Sequence, residues 1–344
     1  RTTILEEEAL CGRFPVAPPS DKRRPPMKKI LSLFFGLLIF AGCGSEVETT
    51  SKLTYEPNKS ALATESPVAT ETESPVGGSP TCASGPAPQM IVSLSPTATE
   101  MLFAIGAGDQ VGAVDSYSYW PADAPVKEDL SAWNPNVEAV AAFQPDLVIL
   151  SDTGIQEELE LLGIQVHVAP AAVDLEDVYD QMFALGEWTC NREGARSAVS
   201  LMRNEISALL ESVDGMAEGL TYYHELDDTL YSVTGATFIG KIYSLAGLTN
   251  IADRVGAEQS AGGYPQLTEE FVLDSDPDII FFADAKCCGQ SFETISARPG
   301  WSELKAVRDG RVYEMDADIS SRWGPRLVDF LRVVTSAIVL TAQN

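Results

Sequence analysis

Histidine is nearly absent from this chain: two occur in 344 residues, His167 and His224. That leaves little room for a histidine-built metal site, and no metal is expected among the protein's own groups. Basic residues are scarce too, 23 Lys and Arg against 50 Asp and Glu, for a formal net charge of −27. A nucleic-acid binder needs a basic footprint, so that class is excluded. There is no Gly-x-Ser-x-Gly elbow, no Walker-type phosphate loop and no His-Glu-x-x-His pair. A Ser–His–acid hydrolase would need a geometry that nothing here suggests: His224, in Tyr222-Tyr-His-Glu225, reads as a strand residue, and His167 alternates with apolar neighbours as a core residue does. The chain is read as a non-enzyme without a cofactor. Apolar residues make up 45% of it, ample for a core, so global disorder is excluded. Its length allows two domains or one two-lobed domain.

The charge is unevenly placed. Residues 1–42 carry seven basic and four acidic side chains, and residues 43–344 carry 16 and 46. Met27-Lys28-Lys29 opens a basic start, and residues 30–41 form an apolar run interrupted only by Ser32 and Gly36. That run is shorter than the about 20 residues a membrane-spanning helix needs and fits the apolar part of a secretory signal. It ends Phe40-Ala41-Gly42-Cys43, which resembles the bacterial lipobox, so residues 27–42 are expected to be a lipoprotein signal and Cys43 the lipidated residue. Residues 1–26, Pro-rich and without periodicity, are expected to lie upstream of the true start at Met27. Residues 43–88 are rich in Ser, Thr, Pro, Glu and Gly, repeat Thr-Glu-Ser-Pro-Val at 64–68 and 72–76, and hold one aromatic residue, Tyr55. Such a segment cannot bury enough apolar surface to offset chain entropy and reads as a disordered, lipid-anchored stalk that includes Cys82.

The remainder is duplicated. Buried-strand compositions at 90–94, 111–115, 147–150 and 165–168, separated by helical stretches, imply a parallel α/β sheet. Ser95-Pro96 reads as an N-cap followed by a first-turn proline. Val137-Glu138 through Pro145-Asp146-Leu-Val-Ile-Leu150 then aligns with Glu269-Glu270 through Pro277-Asp278-Ile-Ile-Phe-Phe282 at an offset of 132, and Ile105-Gly106-Ala107 echoes Ala246-Gly247-Leu248. The fold class is therefore two similar α/β lobes, 89–190 and 218–344. They are joined by one long helix within 191–217, whose Ala195, Val199, Met202, Ile206, Leu209, Leu210 and Val213 share a face. Twenty-five helical residues would span about 38 Å, and one rigid helix as the link implies a small opening motion.

Together, Ile91-Val-Ser-Leu-Ser-Pro-Thr-Ala-Thr-Glu100, Asn134-Pro-Asn-Val-Glu138, Gln144-Pro-Asp-Leu-Val148, Gly263-Tyr-Pro-Gln-Leu-Thr-Glu-Glu270, Arg298-Pro-Gly-Trp301, Gly310-Arg-Val-Tyr313 and Trp323-Gly-Pro-Arg326 resemble, in order, the substrate-binding proteins of iron-siderophore and cobalamin ABC transporters. The resemblance implies a ligand cleft between the lobes and an extracytoplasmic, lipid-anchored monomer that delivers its ligand to a permease dimer driven by a cytoplasmic ATPase. It also implies that Glu138 and Glu270, one per lobe, dock onto permease arginines; Glu269 is a neighbouring rival for Glu270. A solvated helix face is the plain alternative for these carboxylates.

The cleft is expected at the C-terminal ends of the strands. Tyr117, Trp120, Trp133, Tyr264 and Trp323 are the expected ligand-facing aromatics, flat faces suited to a large planar ligand; core or rim packing is the alternative. Arg322 and Arg326 could hold a carboxylate or amide in a fork, or form an inter-lobe salt bridge. Ser95 and Thr97 lie at a helix N-terminus that could take an anionic or carbonyl group. Export implies an oxidising compartment. Cys190 could pair with Cys287 or Cys288, a vicinal Cys287–Cys288 bridge is a strained alternative, and connectivity stays open. With aromatics but few cations, the expected ligand is a corrinoid such as cobalamin, or otherwise a ferric chelate carrying its own cobalt or iron. A haem or siderophore receptor of the same type is the alternative, with an adhesin or hydrolase behind it.

Overall fold

Four-residue runs of aliphatic and aromatic side chains supply the central strands of this protein, and most are buried on both faces, as parallel strands covered by helices must be. The structure, a computed structural model, describes residues 81–82, 85–256 and 261–343. The expected signal segment, Met27 and Cys43 lie outside the described residues.

A short antiparallel ribbon, β1 (Thr81–Cys82) and β2 (Gly85–Pro86), precedes the first lobe. The lobe follows as β3 (Ile91–Leu94), α1 (Pro96–Ala104), β4 (Val111–Val114), α2 (Val137–Ala141), β5 (Leu147–Leu150), α3 (Gln156–Leu161) and β6 (Gln165–Val168). The chain then runs through α4 (Leu175–Thr189) and α5 (Arg192–Ser212) into the second lobe. That lobe comprises β7 (Thr221–Glu225), α6 (Phe238–Leu245), β8 (Thr249–Asn250), α7 (Glu269–Ser275), β9 (Ile279–Phe282), α8 (Ala285–Cys288), α9 (Phe292–Ser296), α10 (Lys305–Arg308), β10 (Val312–Glu314) and α11 (Ala317–Ser321). The last helix is α12 (Leu327–Ala342). The two sheets are parallel, ordered β4-β3-β5-β6 and β10-β9-β7-β8. Taken within each lobe, both place the second strand beside the first, then the third, then the fourth.

The repeat has a physical basis at each matched position. Asn136 and Thr268 cap α2 and α7, their side-chain oxygens accepting from Ala139 N and Phe271 N. Gln144 and Asp276 both take the left-handed conformation, φ 50° and 42°, and the following proline stops the helix from continuing. Asp146 then accepts from the backbone N–H of Gln89 and Met90 at 2.8 and 2.9 Å, and Asp278 from that of Thr221 at 2.9 Å. Each aspartate thus ties the start of its lobe's third strand to the start of the first. The glycine echo is also conformational. Gly106 and Gly247, φ 84° and 85°, end α1 and α6 in equivalent turns, closed by Ala107 N to Leu102 O and Leu248 N to Tyr243 O.

One apolar core runs from the first sheet through α4, α5 and α12 to the second, and smaller cores cover the outer face of each sheet. Ala195, Val199, Met202 and Ile206 of α5 enter it. At 21 residues α5 is about 32 Å long, shorter than expected, because Gly215 at φ 70° turns the chain after Val213. At the other end Gly194 sits so close to α1 that an added Cβ would lie 1.9 Å from the Ile105 carbonyl oxygen.

Two expectations are corrected. Cys190 is bonded to Cys82, not to Cys287 or Cys288. It occupies a left-handed turn, φ 61°, between α4 and α5, beside β1 of the first lobe, whereas Cys287 and Cys288 follow β9 in the other lobe. The stalk, accordingly, does not extend to residue 88: β1 and β2 already belong to the fold. Among the described residues no helix is long and apolar enough to cross a membrane.

Candidate ligand site between the lobes

Ser95 closes β3 and caps α1, its hydroxyl accepting from Ala98 N at 3.3 Å. One turn later Glu100 follows, buried among apolar neighbours with 2% of its side chain exposed. A buried carboxylate requires a countercharge, and the other lobe supplies two. Arg322 Nη1 donates to Glu100 Oε1 at 2.9 Å, and Arg326 donates to both oxygens at 2.9 and 2.5 Å. Gly324, between the two arginines, lies against the Glu100 and Thr97 side chains.

A second polar cluster forms the rim. Tyr119 donates its hydroxyl to Asp318, and Lys286 reaches Tyr119 Oη and Asp318 Oδ2 at 3.2 and 3.1 Å. Arg322 Nη2 joins the clusters, donating to Asp318 Oδ1 and the Tyr117 carbonyl, each at 3.0 Å. Guanidinium carbons stand 5.2 Å over the Tyr119 ring for Arg322 and 4.9 Å over Trp120 for Arg326. Burial would raise Asp318, but Arg322, with Tyr119 and Lys286, outweighs it and holds the carboxyl below its ordinary range. Burial and the bond to Asp318 raise Tyr119, while its bond to Tyr119 and the pairing with Asp318 raise Lys286. These three cations, Arg322, Arg326 and Lys286, are therefore all engaged by acids.

Behind the rim each lobe carries buried polar groups. In the first, Thr99 donates to Ser93 Oγ, and Ser118 donates to Asp115 at 2.6 Å; burial raises Asp115 despite that bond. In the second, Glu225 ends β7 and Asp284 follows the adjacent β9. Arg298 takes Glu225 in a fork, both distances 2.6 Å. Asp284 is fully buried beside the Glu225 carboxyl. Burial and the neighbouring Glu225 charge push its acidity down, to a pKa of about 8.

The family model described as periplasmic binding protein matches residues 91–319, spanning both lobes. The chain belongs to the periplasmic binding protein family. It is 29% identical over 261 residues to the uncharacterized ABC transporter substrate-binding lipoprotein YvrC of Bacillus subtilis, covering 73% of this chain and 80% of that one. It is 26% identical over 251 residues to the vitamin B12-binding protein of Vibrio parahaemolyticus, covering 70% and 86%. Among solved structures, the apo form of the periplasmic heme-binding protein RhuT from Roseiflexus shares the fold at a TM-score of 0.65 and 19% identity, covering 74% of this chain and 99% of that one.

In this periplasmic binding protein the expected site residues fall into three groups. Arg322 and Arg326 meet at Glu100, the inter-lobe salt bridge among the readings left open. Thr97 is buried beside them, and the Ser95 hydroxyl serves as a helix cap. Tyr117 and Trp133 are exposed, 51% and 38%, and Trp120, Tyr264 and Trp323 are half-buried. The indole N–H of Trp323 is buried without an acceptor among the described residues. Glu138 and Glu270 are exposed in the first turns of α2 and α7, as is Glu269. His224 is buried in β7 against the Tyr243 hydroxyl at 2.8 Å.

Glu100, Tyr119, Lys286 and Asp318 were not among the expected site residues. Glu100 carried a usable signal, one acid inside the apolar run of Ala98, Met101 and Leu102 on a helix. Asp318 and Lys286 carried none, since surface-type charges are common, the two meet across 32 residues within the second lobe, and Tyr119 reaches them from the first.

Proposed function

We propose that this protein is the substrate-binding component of an ABC importer, that it captures a corrinoid, and that it hands this ligand to a membrane permease worked by an ATPase. One observation carries the ligand class: among the described residues, the three cations that stand over the aromatic faces of the seam are already neutralised. Arg322, Arg326 and Lys286 are paired with Glu100 and Asp318. A polyanionic ferric siderophore, or haem with its propionates, would have to break those pairs. A corrin ring with neutral amide arms fits exposed tyrosine and tryptophan faces and an indole N–H that lacks an acceptor. The relatives named as vitamin B12-binding proteins support the same reading. The expected lipid anchor at Cys43, with the stalk behind it, would hold the protein at the outer face of the membrane.

The test is a titration by tryptophan fluorescence and calorimetry with cyanocobalamin, haemin and a ferric catecholate. Cyanocobalamin should bind one to one and be recovered chemically unchanged. Binding of haemin or the ferric catecholate without cyanocobalamin would overturn the ligand class, and recovery of altered ligand would point to an enzyme.

A further inference from the structure

Cys287 and Cys288 remain outside every role described so far. They end α8, the short helix after β9, and Gly289 then turns the chain at φ 70°. Cys287 is exposed and Cys288 partly so. Their sulfurs are in contact, 2.7 Å apart, and Cys287 also donates to the Asp284 carbonyl at 3.7 Å. A disulfide needs about 2.05 Å, so only a small approach separates this pair from a bond. The preceding residue, Lys286, is the one whose ammonium crosses the seam to Tyr119.

We propose that Cys287 and Cys288 are a reversible dithiol–disulfide site on the rim of the second lobe, and that its state sets the grip of Lys286 on the first lobe. The oxidant is an exchangeable disulfide of the extracytoplasmic space. One cysteine thiolate attacks a sulfur of that disulfide, forming a mixed disulfide and expelling one thiolate. The second cysteine thiolate then attacks the mixed-disulfide sulfur on its neighbour and expels the other. Two thiols of the protein are oxidised, one external disulfide is reduced, and the two protons leave with the released thiols.

The pair differs in kind from Cys82–Cys190. That bridge closes a separation of 108 residues, and a long loop gains most from cross-linking. A bridge between adjacent residues removes almost no chain entropy, and an exposed one is open to reductant, so it forms and breaks readily. Adjacent side chains on a helix project about 100° apart. Closing the bond therefore draws on the backbone of α8, and Lys286 belongs to the same turn. The presence of Cys82–Cys190 places the chain among proteins that keep disulfides, where exchange partners exist.

The full protein, purified without reductant, is mildly reduced, treated with oxidised glutathione, blocked with N-ethylmaleimide, and analysed by intact mass and peptide mapping. The wild type should lose both reactive thiols at 287 and 288 while retaining no glutathione. Cys287→Ser and Cys288→Ser should each keep one glutathione, because the resolving thiol is gone. Glutathione retained on the wild type, maleimide on both cysteines, or bonding of either to another cysteine would overturn the site. Acetylation of Lys286 by an amine-selective reagent should change severalfold between the reduced and oxidised wild type and stay constant in Cys288→Ser. Equal labelling in both wild-type states would overturn the coupling. None of these readouts requires the transported ligand, so the result stands apart from the ligand assignment.

Discussion

Glu100 shows how one side chain can join two lobes. Its carboxylate is buried with Arg322 and Arg326, both at most 13% exposed, so truncating it takes the countercharge from Arg326 and leaves Arg322 with Asp318 alone. Breaking such a buried arrangement costs about 3–5 kcal/mol. Glu100→Ala should lower the unfolding free energy from urea titration accordingly, whereas Arg332→Ala, at a half-exposed pair with Glu205, should change it by at most about 1 kcal/mol. Asp284 makes a pH prediction. Its folded pKa is raised to about 8, so the native state keeps a proton that the unfolded chain releases near pH 4. The unfolded state then binds fewer protons, and stability falls as pH rises from about 4 to about 8, by at most about 1.4 kcal/mol per unit. His224 acts in the other direction. Burial lowers it to about 3, so its contribution is lost as pH falls from about 6.5 toward 3. Asp284→Asn should gain stability over the wild type at pH 8 and lose that advantage near pH 4. Taking the difference between variant and wild type at each pH cancels the histidine.

At the scale of elements, the close approach of α5 to α1 is the most exposed to test. Gly194 of α5 meets the Ile105 carbonyl at the end of α1 with no room for a methyl group, and backbone cannot move aside as a flexible side chain can. Gly194→Ala should destabilise the protein by about 1–3 kcal/mol through overpacking, despite alanine's better helix propensity. A thermal melt decides it: a raised melting temperature would show that α5 can shift away from α1. The alternation of strand and helix was legible because apolar runs of four, Asx and Ser/Thr caps and Pro-Asp entries are local signals. The length of α5 was not, since its apolar face continues through Val213 and Ala217, both buried beyond the helix end. Burial continued there in irregular backbone that periodicity alone cannot distinguish from helix.

For the whole molecule, the matched positions of Glu138 and Glu270 on two lobes of the same topology bear on the proposed docking. Each follows its cap by two residues, at the start of the helix leading to the third strand. Glu138→Ala combined with Glu270→Ala should leave cyanocobalamin affinity within about twofold and reduce cellular uptake at least tenfold, since truncating one partner of a desolvated interfacial ion pair costs about 2–5 kcal/mol. Uptake of labelled cyanocobalamin in cells expressing each form is the measurement. Unchanged uptake would leave both glutamates as surface charges.

The linear chain by itself determined the two-lobed parallel fold, its duplication and the single connecting helix, because each is encoded by repeated short-range patterns of burial, capping and turn chemistry. It also marked the aromatic and arginine segments of the seam, through their positions at strand ends and before the last helix. Only the tertiary structure decided what those arginines hold and which cysteines meet. Glu100 lies 222 residues from Arg322, and Cys82 lies 108 from Cys190. Pairing across such distances depends on how the lobes pack, and neither composition nor periodicity carries that information.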